Sequence, residues 1–518
     1  MESIKLVNIR SFTDSGAIRI APLTLLLGEN SSGKSTVVRC FPLLRQTAEV
    51  LAREPILWFG RLVDFGTVDE ATSKLAHTKS TGFDFEFRIE RATINRRRRV
   101  YRPTIDGDKI PAKVELRYEF KDGKKKAFSF SLEVLSHRFS LEIQDAVVTK
   151  LTINGSDYSS YLAGAMVVPS WTSCFPNIQY RENSTGLVDS DIFGRNLRAY
   201  VRQHTHGKSG TDRVEALTRG LINSPLDDLL EAVKNASAGD SMWQRTTIGW
   251  TGVTRDFHRV RDLIIGSRIS ELVEIAGQIF RQTCGRSRYI APIRASAERY
   301  YRQQGLALGE IDAQGQNVAM FLHNLSTSER ARFSEWMSSA FGFYVDTETS
   351  QGHVSMVVRD TKVSGAESTQ LSFNLADTGF GFSQMIPVLM QIWITSGGRV
   401  QSGAVATLKT PLVISIEQPE LHLHPRLQAR MADVLLKAIA GAQQIGVDLR
   451  VVVETHSEQI VNRVGKRIAD GVFPRADASV ALFEKRSFGE PTKVTQTHYD
   501  EEGMLESWPY GFFESEDK

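Results

Sequence analysis

Between residues 82 and 155 the chain alternates apolar and polar positions, as in Phe83-Asp84-Phe85-Glu86-Phe87, Val114-Glu115-Leu116-Arg117-Tyr118 and Phe128-Ser129-Phe130-Ser131-Leu132. A period of two turns one face of a strand to a core and the other to water. Lys121-Asp122-Gly123-Lys124 separates two of these runs as a hairpin turn, so the stretch predicts an antiparallel meander. Elsewhere the pattern differs. Leu25-Leu26-Leu27 reads as a short buried strand, and 36–51 as a helix. Residues 213–235 and 258–284 repeat apolar positions at three- and four-residue spacing, which predicts amphipathic helices. A short strand at 289–294 precedes helices at 316–325 and 328–341 and strands at 353–359 and 372–375. From 412 onward strands (412–416, 450–454, 479–483) alternate with helices (426–440, 458–470), the pattern of a mostly parallel sheet covered by helices. Residues 156–210, with Pro169, Pro176 and several glycines, follow neither period.

The run Gly28-Glu29-Asn30-Ser31-Ser32-Gly33-Lys34-Ser35-Thr36 joins the leucine strand to the following helix and spells G-x-x-x-x-G-K-S. Gly28 and Gly33 allow the backbone to fold back so that successive N–H groups point at phosphate oxygens, and the helix N-terminus adds its positive end. Lys34 supplies a charge for the β- and γ-phosphates, and the Ser35 hydroxyl is a Mg²⁺ ligand. The expected cofactors are therefore ATP and Mg²⁺. Leu412-Val413-Ile414-Ser415-Ile416-Glu417 is an apolar strand ending in an acid, the form of a Walker B element, and Glu417 is the second candidate for Mg²⁺.

Composition narrows the reading. Of 518 residues, 41% are hydrophobic and 24% charged, ordinary proportions for a globular chain, with enough length for two or three structural units. The net charge of +3 does not announce nucleic-acid binding. The clusters Arg96-Arg97-Arg98-Arg99 and Lys124-Lys125-Lys126 read as solvated strand ends before they read as phosphate contacts. Cys40, Cys174 and Cys284 make no metal-ligand spacing and suit buried free thiols in a cytoplasmic protein. No run of apolar residues is long enough to span a membrane, and no signal-peptide pattern opens the chain.

Gln418-Pro419-Glu420-Leu421-His422-Leu423-His424-Pro425, directly after Glu417, resembles the Walker B and D-loop run of ABC-type ATPases, in particular the OLD (overcoming lysogenization defect) ATPases and their SMC-like relatives. Thr455-His456-Ser457 resembles their switch-histidine loop, and Asp377-Thr378-Gly379-Phe380-Gly381-Phe382-Ser383-Gln384 their signature motif, with Ser383 34 residues ahead of Glu417. The ending Trp508-Pro509-Tyr510-Gly511-Phe512-Phe513 is similar to a small C-terminal domain of many OLD-like ATPases of bacterial defence loci. The resemblance implies an α/β fold, an ABC-type P-loop ATPase head with a mixed, largely parallel sheet, carrying an antiparallel insertion and a helical insertion. The implied divisions are 1–75 (head with the phosphate loop), 76–155 (β insertion), 156–287 (irregular and helical insertion), 288–475 (head with signature, Walker B and switch histidine) and 476–518 (C-terminal domain). It also implies catalytic roles for Glu417, Gln418, Glu420 and His456, and nucleotide contacts from Gly379, Gly381, Ser383 and Gln384. Gln46 is a Q-loop candidate for the metal.

Where many relatives carry a water-polarising glutamate, this chain has Gln418, an amide that can orient water but cannot take its proton. Slow hydrolysis, or a site tuned to hold ATP, is the expectation. The 62 residues after His456 show no acid-rich Toprim pattern, so a nuclease site is expected on a separate partner. The reading is an ATPase that dimerises around ATP and regulates a separate effector, such as a nuclease, in anti-phage defence, similar to the ATPase subunits of Septu, PARIS and retron systems. The alternative is an SMC/RecF-like DNA-repair ATPase that binds DNA directly. A third possibility is an ATP-binding scaffold with negligible turnover.

Overall fold

The structure is a computed structural model that describes residues 1–52, 54–76, 80–95, 108–121, 124–162, 165–167, 174–180, 191–305, 308–360, 372–398, 411–487 and 489–507. Arg96 to Arg99, the Asp122-Gly123 turn and the Trp508 to Phe513 ending lie outside the described residues. The chain forms two compact units, one of Met1–Ile9, Gln46–Trp58 and Thr67–Gly285, the other of Arg10–Arg45, Phe59–Gly66 and Arg286–Lys518.

The second unit is built on a six-stranded sheet. Its elements, in chain order, are β1 (Leu23–Gly28), α1 (Lys34–Glu49, whose last residues belong to the first unit), β2 (Arg288–Ile290), α2 (Phe380–Trp393), β3 (Leu412–Glu417), α3 (Pro425–Gln444), β4 (Leu449–Glu454), α4 (Glu458–Ala469), β5 (Ala478–Glu484) and β6 (Lys493–Thr497). The strand order is β2-β3-β4-β1-β5-β6, parallel throughout except for the antiparallel β5–β6 edge. Every residue of β1, β3 and β4 is buried, which explains why these strands read as unbroken apolar runs. Helix α3 buries Met431, Leu435, Ala438, Ile439 and Ala442 at three- and four-residue spacing. His424 caps its first turn by accepting from the Arg426 N–H, and Pro425 occupies a position where its missing N–H costs nothing. Helix α4 starts at the Ser457 cap, which accepts from the Ile460 N–H. The unit also holds helices Val318–His323 and Thr327–Phe341 and a four-stranded antiparallel sheet of Tyr301–Arg302, Phe343–Ser350, His353–Asp360 and Ser372–Asn374.

In the first unit Ser3–Ile9 pairs with Ser80–Glu90, and Lys109–Lys121, Lys124–Val134, His137–Gln144 and Val147–Ile153 follow as an antiparallel meander. Phe83, Phe85, Phe87 and Ile89 are buried while Asp84, Glu86 and Arg88 face outward to differing degrees, the alternation read from the chain. Helix Ile269–Gly285 covers this face, with the Phe280 ring 5.9 Å from that of Phe85.

Three expectations change. The largest sheet is mostly antiparallel and the parallel strands lie in the six-stranded sheet, so the fold is α/β with several sheets rather than largely parallel. The 213–235 stretch is two helices, Thr211–Ile222 and Leu229–Asn235, because Pro225 has no N–H to continue the ladder. The 258–284 stretch is also two, Arg255–Gly266 and Ile269–Gly285. At the break, buried Arg268 donates to the carbonyl oxygens of Ser224 and Ile94, and this tether fixes the change of direction. Within 156–210, helix Ile192–Gln203 forms with Phe193, Leu197, Tyr200 and Val201 buried.

Candidate functional site

The candidate residues of the second unit gather at the C-terminal ends of β1, β3 and β4, the edge of a parallel sheet where ligands bind. Two glycines shape the candidate phosphate loop. Gly28 holds φ at 154°, and a Cβ there would strike the Phe483 carbonyl oxygen of β5. Gly33 holds φ at 97°, and a Cβ would lie 2.7 Å from the Phe12 ring. Both positions need glycine for space and for backbone geometry. Glu29, Asn30 and Ser31 form the exposed loop tip, whereas Ser32 and Thr36 are buried.

Lys34 is 3% exposed and donates from Nζ to the carbonyl oxygens of Gly28, at 2.8 Å, and Glu29, at 2.6 Å. Burial lowers its pKa, and the Glu454, Glu420 and Glu29 carboxylates pull it back. Ser35 Oγ donates to Glu454 Oε1 at 2.9 Å. Glu454 ends β4 and stands in register with Glu417, which ends β3. Burial pushes the Glu454 carboxyl up to about 7, against the Ser35 bond and the Lys34 charge and with the nearby Glu417 charge.

Glu417 is 1% exposed and fully engaged. Arg39, on α1, donates from Nε to Oε1 at 2.7 Å and from Nη2 to Oε2 at 2.9 Å, and the Tyr289 hydroxyl donates to Oε1 at 2.6 Å. Beyond the strand, Gln418 adopts φ 44° and its N–H donates to the Glu454 carbonyl at 2.8 Å. Its own carbonyl accepts from Arg294 Nη2 at 3.1 Å. Glu420 Oε1 accepts from the His456 N–H at 2.7 Å, and burial raises its pKa. Burial and the Lys34 charge lower His456 to about 4, so its imidazole is neutral at physiological pH.

The signature-like segment sits on α2. Gly379 precedes the helix, exposed, with open space where a Cβ would stand. A Cβ on Gly381 would strike the His422 carbonyl oxygen, so this glycine allows α2 to approach the loop after β3. Ser383 Oγ donates to the Phe380 carbonyl at 2.7 Å. Gln384 pairs with the backbone of Arg294, accepting from its N–H at 3.1 Å and donating to its oxygen at 2.9 Å. The Arg294 guanidinium, buried and lowered to about 10, reaches the Glu417 carbonyl at 2.6 Å. Arg294 thus ties α2 to the end of β3. Gln46 belongs to the first unit, where its amide donates to the Leu57 carbonyl at 2.8 Å.

Arg39, Tyr289 and Glu454 carry site contacts that the sequence reading assigned to no role. Glu454 had a signal: it ends the apolar run Val451-Val452-Val453 as Glu417 ends its own. Arg39 lies five positions beyond Lys34 on the same helix, a spacing that alone names no partner.

Ser32 Oγ, Glu454 Oε2, Glu420 Oε2 and His456 Nε2 are buried without a hydrogen-bond partner. A hydroxyl donor, carboxylate acceptors and a neutral imidazole near a buried ammonium suit a magnesium-bound triphosphate, so the residues fit ATP and Mg²⁺.

Residues 303–461 match the family model described as AAA ATPase domain, a span that takes in α2, β3, β4 and His456 and leaves out the phosphate loop. Among solved structures, the chain is similar to the SmcHead in a crystal structure with the C-winged helix domain of ScpA, at 11% identity over 96% of this chain and 96% of that one, TM-score 0.31. It is also similar to the SMC head domain from Thermotoga maritima, at 8% identity over 95% of this chain and 97% of that one, TM-score 0.32. No curated protein matches the chain. The family match supports an ATPase.

Proposed function

We propose that this chain is an ABC-type, OLD-like ATPase that binds Mg-ATP on the Gly28-to-Thr36 loop, dimerises around it and relays its nucleotide state to a separate effector, such as a nuclease, in anti-phage defence. The observation that carries the reading is Lys34, buried at the loop with its ammonium held on the carbonyl oxygens of Gly28 and Glu29. Lys34 supports the phosphates and Ser35 a magnesium ion, which when bound neutralises phosphate charge. His456, neutral, supports a hydrogen bond to the terminal phosphate. Gly379 and the N-terminus of α2 support contact with the nucleotide of a second copy, because they are exposed at a helix start. Gln418 and the engaged state of Glu417 favour slow turnover.

Calorimetry with Mg-ATP, on wild type and Lys34→Ala, tests the binding reading. Wild type is expected to bind, with affinity lost by about a hundredfold or more in the variant, since a charge-assisted phosphate contact disappears. No binding by wild type sinks the proposal.

A further inference from the structure

We infer that Glu454, rather than Glu417, is the carboxylate that faces the divalent cation accompanying ATP. The inference rests on the ATP-binding reading above and specifies which acid serves it. Ser35 is the hydroxyl that the phosphate loop offers to a cation, and Ser35 is held by Glu454 Oε1 at 2.9 Å. The other oxygen of that carboxylate, Oε2, is buried and has no hydrogen-bond partner, on a residue only 4% exposed. A buried carboxylate oxygen without a donor is costly unless a cation meets it.

Glu417 is differently placed. Both of its oxygens accept from Arg39, and one also from Tyr289, so its charge is already compensated by a guanidinium. A second cation beside that pair would be repelled by Arg39. The topology agrees: β4 lies directly beside β1, whereas β3 is one strand further out. The strand adjoining the phosphate loop therefore ends in the acid that Ser35 touches.

The test titrates Mg²⁺ against binding of a fluorescent ATP analogue, with EDTA as the zero, and follows Mn²⁺ by electron paramagnetic resonance in the presence of ATP. Glu454→Gln preserves the shape and an acceptor for Ser35. Its half-saturating Mg²⁺ is expected to rise about tenfold or more, with loss of the bound-Mn²⁺ signal. Glu417→Gln is expected to shift it less. Glu454→Asp, which withdraws the carboxylate by one methylene, is expected to fall between wild type and Glu454→Gln, and serves if the amide variant does not fold. Wild-type Mg²⁺ dependence in the folded Glu454 variants, or a larger loss in Glu417→Gln, overturns the inference while ATP binding by wild type leaves the proposed function standing. A wild type that binds no ATP overturns both.

Discussion

Arg39 grips the carboxylate of Glu417 with a two-pronged guanidinium contact, 2.7 and 2.9 Å, from a helix to the end of a strand 378 residues later. Glu417 is almost wholly buried and Arg39 about a third exposed, so the arginine supplies the opposite charge that the buried acid meets inside the unit.

Arg39→Ala removes that compensation and leaves Glu417 with the Tyr289 hydroxyl. We expect a loss of about 1–3 kcal/mol in stability, read as a lower midpoint in urea unfolding. Arg39→Lys keeps the charge but not the fork, and is expected to recover only part of the loss. An unchanged midpoint in Arg39→Ala would show that the contact contributes nothing in solution.

Gln418→Glu restores a group able to accept a proton after the Walker B-like strand. Phosphate release is expected to rise about tenfold or more, within the range of general-base catalysis. A wild type that is already fast, with the variant no faster, would remove Gln418 as the brake.

Gly379 stands exposed before α2 with open space about it, so a larger side chain there leaves the protomer's packing intact. Gly379→Glu is expected to repel the phosphates of a second copy's nucleotide and abolish ATP-dependent dimerisation, while ATP affinity of the monomer changes by less than about threefold. Light scattering with and without ATP measures the first, calorimetry the second. A dimer that persists argues that α2 does not meet nucleotide.

His137 offers a pH test of the first unit. Burial holds its pKa below the usual histidine value; the bond to the Leu226 carbonyl and the Asp262 charge raise it, and the Arg261 charge lowers it further. A base depressed in the folded state takes up its proton first in the unfolded chain. The neutral ring therefore leaves stability intact above a pH of about 6.5, and stability falls as pH drops below it. His137→Gln is expected to flatten the decline in melting temperature between about pH 6.5 and 5. Parallel declines for the two proteins would locate the acid sensitivity elsewhere.

Much of this molecule was readable from local pattern. The meander showed itself because each strand has one buried face, and β1, β3 and β4 because they have two. The shape of the candidate loop was legible for a different reason: Gly28, Gly33, Lys34 and Ser35 sit within one short segment, and its strand–loop–helix setting needs no tertiary partner to be read. Helix breaks were harder. Pro225 marks one openly, but the turn at Arg268 depends on carbonyls of Ile94 and Ser224, far away in the chain. The contacts of Glu454 were hidden because they depend on strand register, which sets it beside Glu417 and next to the loop strand, and no single-strand pattern reports which neighbour a strand will choose.

The position of β1 has a consequence for biosynthesis. Leu23 lies in register with Val451 on one side and Ala478 on the other, so the loop strand emerges from the ribosome long before either neighbour exists. Closing so distant a pairing is slow. Until then the growing polypeptide carries an apolar ribbon that invites misassociation or chaperone capture. A nascent chain stalled before residue 449 should therefore display its glycine-rich turn without a sheet to hold it.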